Sequence, residues 1–338
     1  MNEAPPIIDT PKFSAHLRAR GLRTERQQIL ITNFKGSQQE QDLSAPTNCA
    51  GYGRIHHFRR RQGHPWPSNP LPIDPAARAL GLPQLDEIQV QVFQNAICSW
   101  RCWYCFVDFD LLSANPAHAE FMSADDLLDL YLAERTRPVV IDLSGGQPDL
   151  VPEWSLWMSD AISRRGLSTS VYLWTDDNLS NDYLWRFLKS EEIERLRRTA
   201  NYGRVGCFKG FDEKSFSFNT KAAPGLFYEQ FRLMNRLVTA GFDVYGYATF
   251  TGNSNDEIDI LMNRFIDSLQ EQVHPLFPLR TIPLRIGAFT PTKVRMREEH
   301  VKAMAVQEAA IYAWNTELEK RFSPEQRAAN ITAHRLSR

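Results

Sequence analysis

The stretch IQVQVFQNAICSWRCWYC, Ile88–Cys105, decides how the rest of the chain is read. Its first half alternates β-branched or aromatic residues with glutamines, the period-two signature of a strand. Its second half spaces three cysteines as C-x3-C-x2-C, at Cys98, Cys102 and Cys105, in a loop just past that strand. A strand that delivers three thiols into one short loop calls for a metal or cluster chemistry to explain it.

Working outward, five more short runs rich in β-branched and aromatic residues follow: VVIDLSGG from Val139, STSVYLWTDD from Ser168, RVGCFKGF from Arg204, DVYGYATFTG from Asp243 and TIPLRIGAF from Thr281. Helical patterns lie between them. SADDLLDLYLAER offers Ser123 as N-cap, with Asp125 and Asp126 in the first turn and Leu127, Leu128, Tyr131 and Leu132 at helical spacing. PEWSLWMSDAISRR, PGLFYEQFRLMNRLVTAG and NDEIDILMNRFIDSLQEQ are the others, the second ending at Gly241, a suitable C-cap. Six strands alternating with helices predict βαβ units, and therefore a parallel sheet in an α/β fold. Periodicity leaves open whether that sheet is flat or curled. In either form ligands gather at the C-terminal strand ends, where the cysteines, then GGQP, then TDDN are found.

Residues 1–85 contain many prolines and turn-forming residues and read as an N-terminal extension, partly irregular and flexible over about its first forty residues, that wraps the main domain. Residues 86–295 form the core domain and 296–338 a helical C-terminal segment. There RMREEHVKAMAVQEAAIYAWNTELEKRF is one long helix, and Ser323-Pro324-Glu325-Gln326 has the form of a capping box.

The 338 residues are 43% hydrophobic and 23% charged, with net charge −1. That is an ordinary globular composition without an overall electrostatic reason to bind nucleic acid or acidic lipid. No apolar run approaches the roughly 18–20 residues of a membrane span, and the N-terminus MNEAPPIIDTPKF lacks a signal-peptide pattern. A cytoplasmic location is expected, with no membrane partner.

Five cysteines, at 49, 98, 102, 105 and 207, are an odd number with three packed into eight residues. This is a poor disulfide framework. Ordinary core packing has no need of such a loop. A structural zinc would want a fourth ligand in a second knuckle; His56, His57 and His64 lack that spacing. An electron-carrying cluster would want a fourth cysteine, and Cys49 and Cys207 have no motif around them. Three thiolates suit an iron–sulfur cube with one iron left open.

CSWRCWYC resembles the CxxxCxΦC signature of the radical S-adenosylmethionine superfamily, with Tyr104 at the aromatic position. Further landmarks follow in order over about residues 88–295, closest to the pyruvate formate-lyase activating enzyme-like group. The resemblance implies a partial (β/α)6 barrel. It implies a [4Fe–4S] cluster on Cys98, Cys102 and Cys105 whose fourth iron chelates the methionine moiety of S-adenosylmethionine, and reductive cleavage to a 5′-deoxyadenosyl radical that removes hydrogen from a substrate. It also implies a flavodoxin- or ferredoxin-type electron donor. The substrate is left between a partner protein, activated as a glycyl radical protein, and a small molecule or modified nucleotide, and the N-terminal extension could close the open barrel over either. Tyr104 would lie near the adenine. LSGGQPDL resembles the family's GGEP-like motif, with Gly145 and Gly146 allowing close backbone approach and Gln147 in place of the usual Glu; an amide oxygen still accepts from the methionine ammonium, without the charge. LWTDDNL resembles its third-strand turn, making Thr175 and Asp176 contact residues. CFKGFD resembles its Lys-Gly segment, so Lys209 meets a carboxylate or the cofactor, and Thr251 and Arg285 are weaker cofactor contacts around the fifth and sixth strands.

Two features fall outside that pattern. RIHHFRRRQGH, Arg54–His64, is the one basic cluster and suits a phosphate, a nucleic acid or an acidic surface, or simply a solvated loop. A metal-stabilised nucleic-acid module built on it is the alternative to the enzyme. Trp100 and Trp103 either shield the cysteine loop, dock an electron donor or pack in the core.

Overall fold

The computed structural model describes residues 7–336. Ten strands occur in chain order: β1 Leu22–Arg23, β2 Gln28–Thr32, β3 Gly53–Arg59, β4 Glu87–Phe93, β5 Ala119–Ser123, β6 Val140–Leu143, β7 Tyr172–Asp177, β8 Tyr202–Phe208, β9 Val244–Thr249 and β10 Thr281–Leu284. Seven of them form one sheet in the order β10-β9-β8-β7-β6-β4-β3. The six runs expected to be strands are β4, β6, β7, β8, β9 and β10, and all their neighbouring pairs are parallel. Only β3 runs antiparallel, along β4 at the edge. Among the described residues β3 and β10 do not pair, so the sheet stays open.

Residues 7–85 contribute directly to this architecture. A helix over Thr10–Gly21 precedes a small antiparallel sheet, β1-β2-β5. The central sheet itself begins at β3, before residue 86. β3 is built from GRIHHFR, so the first half of the basic cluster is a paired strand rather than a loop.

Alternation along each strand separates two buried faces. On the outer face Phe93, Ile141, Leu143, Leu173, Phe208, Val244 and Ala248 join the main core with the helices Ala124–Ala133, Glu153–Arg164, Leu226–Thr239, Ile258–Ser268 and Glu298–Arg321. On the inner face Val90, Val92, Val140, Trp174, Val205, Tyr245 and Tyr247 form a second cluster, capped by Leu71, by Ile73 and Ala76 from the helix Ile73–Leu80, and by Ile331. The long helices thus lie on the outer face and only the short helix Ile73–Leu80 on the inner one, which can line a site at the C-terminal strand ends.

Local signals explain the helix ends. Ser123 caps its helix in a reciprocal box: its Oγ accepts from the Asp126 amide at 3.1 Å, and the Asp126 carboxylate accepts from the Ser123 amide at 2.8 Å. Ser323 and Gln326 form the same box at 3.3 and 3.0 Å. The helix Leu226–Thr239 stops just before Gly241, which takes a left-handed φ of 81°. No helix among the described residues is long and apolar enough to cross a membrane.

Ser123→Ala removes one acceptor from an exposed helix start. We predict a loss of about 1 kcal/mol in urea unfolding, within the range for N-cap deletions, with no change in iron content after reconstitution.

Candidate active site

The three cysteines follow β4 in a loop with little regular structure, and neighbouring elements hold it. The Cys98 amide donates to the Leu112 carbonyl at 3.1 Å, that of Arg101 to Thr220 at 3.2 Å and that of Trp103 to Asn219 at 3.2 Å. Trp103 Nε1 donates to Asn219 Oδ1 at 3.0 Å. Arg101 turns back on its own loop, donating to the carbonyls of Cys98 and Trp100. From the far end of the chain Arg295 donates to the carbonyls of Cys105 and Val107, and Thr292 Oγ1 to that of Cys105 at 3.1 Å. Trp100 and Trp103 are buried; they belong to the core, which removes them as an exposed docking face.

Burial pushes the Cys98 thiol up to about 12 and the Cys102 thiol to about 11, and raises Cys105 as well. Three cations oppose burial: Arg101 acts on Cys98 and Cys105, while Lys209 and Arg295 act on Cys102 and Cys105. Asn178 Nδ2 lies 3.6 Å from Cys98 Sγ, to which it donates. Three neighbouring thiols on one loop, surrounded by three cations and given an N–H···S contact, are the donor set and charge that a thiolate-held iron–sulfur cluster requires. Among the described residues, no three His, Cys, Asp or Glu side chains gather as for a single metal ion. All five cysteines are free thiols.

The GGQP segment supports this loop. A Cβ on Gly146 would sit 1.8 Å from Asn95 Oδ1 and 2.2 Å from the Asn95 carbonyl oxygen, and Gly145 combines φ of 84° with a 2.5 Å approach to Gln94 Oε1. Both glycines are therefore required by the chain's own packing against the start of the cysteine loop. Gln147 is fully buried and fully engaged. Its Oε1 accepts from the Ser99 amide at 2.7 Å and from Ser99 Oγ at 2.9 Å. Its Nε2 donates to Ser180 Oγ at 2.6 Å and Asp149 Oδ2 at 3.1 Å. The amide oxygen expected to meet a ligand ammonium instead pins the residue after Cys98. Asp149 in turn accepts from the Asn178 amide at 3.2 Å and from Asn181 Nδ2 at 2.8 Å. Burial and Asp177 push Asp149 up to about 7, against Gln147, Asn178 and Arg204. Cysteine loop, GGQP and TDDN are thus one hydrogen-bonded unit. Asp149 and Asn178 were not singled out from sequence; their placement in motifs already flagged was the available signal.

The other expected contact residues separate. Tyr104 is buried, with its hydroxyl donating to Thr249 Oγ1 at 3.3 Å on the inner face. Asp176 and Lys209 reach the same face. Burial raises Asp176 to about 6, countered by Ser144, Lys209 and Arg54. Burial opposes the Lys209 charge, but Cys207, Tyr104, Cys102 and Cys98 outweigh it and raise its pKa. Thr175 does not belong here: alternation along β7 puts it on the outer face, fully buried, with its hydroxyl 2.9 Å from that of Tyr202. Thr251 is also buried and donates to Asn219 Oδ1 at 2.8 Å, so it acts through the anchor of Trp103. Arg285 is exposed and donates to the Gln62 carbonyl at 3.3 Å.

The basic cluster is largely neutralised. Arg54 is buried, Arg60 pairs with Asp74 at 2.5 Å and Asp86 at 3.5 Å, and Arg59 lies 3.5 Å from Glu87. Arg61 is exposed with no ion pair among the described residues.

No family model matches the chain, and no curated protein matches it. Solved structures that align with it include SuiB of Streptococcus suis bound to S-adenosylmethionine and SuiB bound to its precursor peptide SuiA. Each is 18% identical with a TM-score of 0.37, over 53% and 55% of this chain respectively and 37% of SuiB. The chain therefore spans little more than a third of SuiB in the alignment, and a likeness this slight bears on neither fold nor activity.

Replacing Gln147 by Leu leaves the Ser99 amide without its acceptor in a buried position. Urea unfolding should show a loss of about 1–3 kcal/mol, the usual cost of an unsatisfied buried donor. An unchanged midpoint would mean the cysteine loop does not depend on this contact.

Proposed function

We propose that the chain is a radical S-adenosylmethionine enzyme with a partial (β/α)6 barrel, taking residues 86–295 as its catalytic core. The observation that carries this reading is the trio of thiols at the C-terminal end of the first parallel strand, ringed by Arg101, Lys209 and Arg295. Cys98, Cys102 and Cys105 would hold three irons of a [4Fe–4S] cluster. When bound, that group would supply the one electron needed for reductive cleavage of S-adenosylmethionine to methionine and a 5′-deoxyadenosyl radical able to take a hydrogen atom from a substrate.

The chain's own residues do the rest. Arg101, Thr292 and Arg295 tie down the loop carbonyls. Gly145 and Gly146 let the second strand end reach the loop, and Gln147 holds Ser99 beside Cys98. Lys209, whose charge is favoured by Cys102 and Cys98, would meet the carboxylate of the methionyl group. Tyr104, on the inner face beside Thr249, offers an aromatic wall for the adenine. The free thiols suit a reducing cytoplasm, where a flavodoxin- or ferredoxin-type protein would deliver the electron. The acceptor of the radical is a small molecule or a partner protein, glycyl-radical activation included. The nucleic-acid module is not favoured, because Arg54 is buried and Arg59 and Arg60 are paired with acids, leaving Arg61 as the one exposed arginine of the segment without an ion pair among the described residues.

Anaerobic reconstitution with iron and sulfide should give a brown protein that releases 5′-deoxyadenosine from S-adenosylmethionine on reduction with dithionite. Cys98→Ala, Cys102→Ala and Cys105→Ala should each abolish release. A colourless, zinc-loaded protein, or a brown one that never releases 5′-deoxyadenosine, contradicts the reading.

Asn178→Ala tests the N–H···S contact. Losing one hydrogen bond to a thiolate worth about 1 kcal/mol should shift the cluster midpoint potential by about 40 mV to the negative side, read by EPR-monitored titration.

A further inference from the structure

Other buried ionisable side chains among the described residues have a partner: Arg204 pairs with Asp177 at 3.0 Å and Arg280 with Asp243 at 2.6 Å, while Asp149 accepts from Gln147, Asn178 and Asn181. The inner face beside the cysteine loop breaks that rule. Register places Arg54 opposite Val92, Val92 opposite Asp142 and Asp142 opposite Trp174, so one rung across four strands carries a guanidinium and a carboxylate on the face lined by Val92 and Trp174. Asp176 lies two residues past Trp174 on the same face and is paired in register with Val205. Arg54 is 5% exposed and Asp142 2%. Neither forms an ion pair within 4.0 Å among the described residues; Arg54 Nε and Asp142 Oδ1 have no hydrogen-bond partner at all. Burial and then Asp176 hold the Asp142 carboxyl well above the usual carboxylate range, against Arg54, and burial lowers Arg54 to about 10, against Asp142 and Asp176. The guanidinium lies 5.2 Å from the ring of Phe106, the residue after Cys105, so this cluster adjoins the thiols.

Isolated buried charges are expensive, and a fold under selection for stability alone would close them into contact or replace them with apolar groups. Charges of both signs held apart at strand ends are instead complementary to a third body. The planar fork of Arg54 suits a carboxylate, and the two carboxylates suit an ammonium. A phosphate dianion would face two like charges here, whereas a zwitterion would neutralise both signs.

We propose that Arg54, Asp142 and Asp176 form a binding site for an amino-acid zwitterion, its carboxylate on Arg54 and its ammonium between the aspartates. This rests on the radical S-adenosylmethionine reading and names the substrate class of that site. The same chemistry has a second source, the methionyl end of S-adenosylmethionine; we assign the site to a separate amino acid because Lys209, which faces the sulfurs, already stands where the cofactor's carboxylate would be met.

The test measures thermal unfolding of the anaerobically reconstituted protein, saturated with S-adenosylmethionine, against the standard protein amino acids at millimolar concentration. At least one should raise the midpoint. Its decarboxylated and deaminated analogues should not, and Arg54→Met and Asp142→Asn should each lose the response. Without amino acid both variants should unfold at or above the wild-type midpoint, because each alters a buried ionisable group with an unpartnered polar atom; a lower midpoint in both marks the groups as structural and overturns the proposal. So does the absence of any response, a response retained in Arg54→Met, or loss of S-adenosylmethionine affinity in both variants, which would give the site to the cofactor. Each of these leaves cluster loading and 5′-deoxyadenosine release intact in the wild type, so failure here is distinct from failure of the enzyme reading.

Discussion

A loop with little hydrogen-bonded structure of its own must present three thiols in a fixed arrangement, and everything around it is organised by that demand. The restraint comes from outside. The Gln147 amide oxygen takes both donors of Ser99, Asn219 takes the indole of Trp103, and Arg295 reaches the Cys105 carbonyl from the C-terminal part of the chain. Buried donors and acceptors satisfied in this way are rigid, because each broken contact exposes an unmet polar group to a low-dielectric interior. Preorganisation of the ligand loop is thereby distributed over the turn after β6 and the helices Glu213–Thr220 and Thr290–Arg295.

That distribution gives Gln147 and Asp149 a common logic. A side-chain amide can accept from Ser99 while donating to Asp149 and Ser180. A carboxylate at position 147 could make the first contact only, and would face Asp149 across the second. The departure from the GGEP-like pattern is therefore coherent with the acid two residues later. Its consequence is that both donors of Ser99 already occupy the Gln147 amide oxygen.

Much of the sheet was legible because β4, β6, β7, β8, β9 and β10 are runs of β-branched and aromatic residues, and because Ser123, Gly241 and Ser323 punctuate helices by plain capping chemistry. β3 was not: in GRIHHFR the histidines and arginines read as a basic surface, and only pairing with β4 reveals a strand, since strand propensity follows the partner more than the residue. The same misreading hid Arg54 as a buried charge. Thr175 and Asp176 were grouped together although neighbours in a strand point to opposite faces; alternation alone would have separated them. Asp142, a lone acid within the apolar run VVIDL, carried a signal that went unused. Asn178 and Asp149 could not be weighted from sequence, because their importance lies in contacts to Cys98 and Gln147 that only the fold creates.

The central claim, that three thiols of one loop leave one iron of a cube free for an organic ligand, is tested most directly by Mössbauer spectroscopy of the iron-enriched, reconstituted protein with and without S-adenosylmethionine. The account predicts a [4Fe–4S] spectrum in which a single iron changes its isomer shift when the sulfonium compound is added. Four irons that do not respond, or a protein that takes up zinc in place of a cluster, would contradict it.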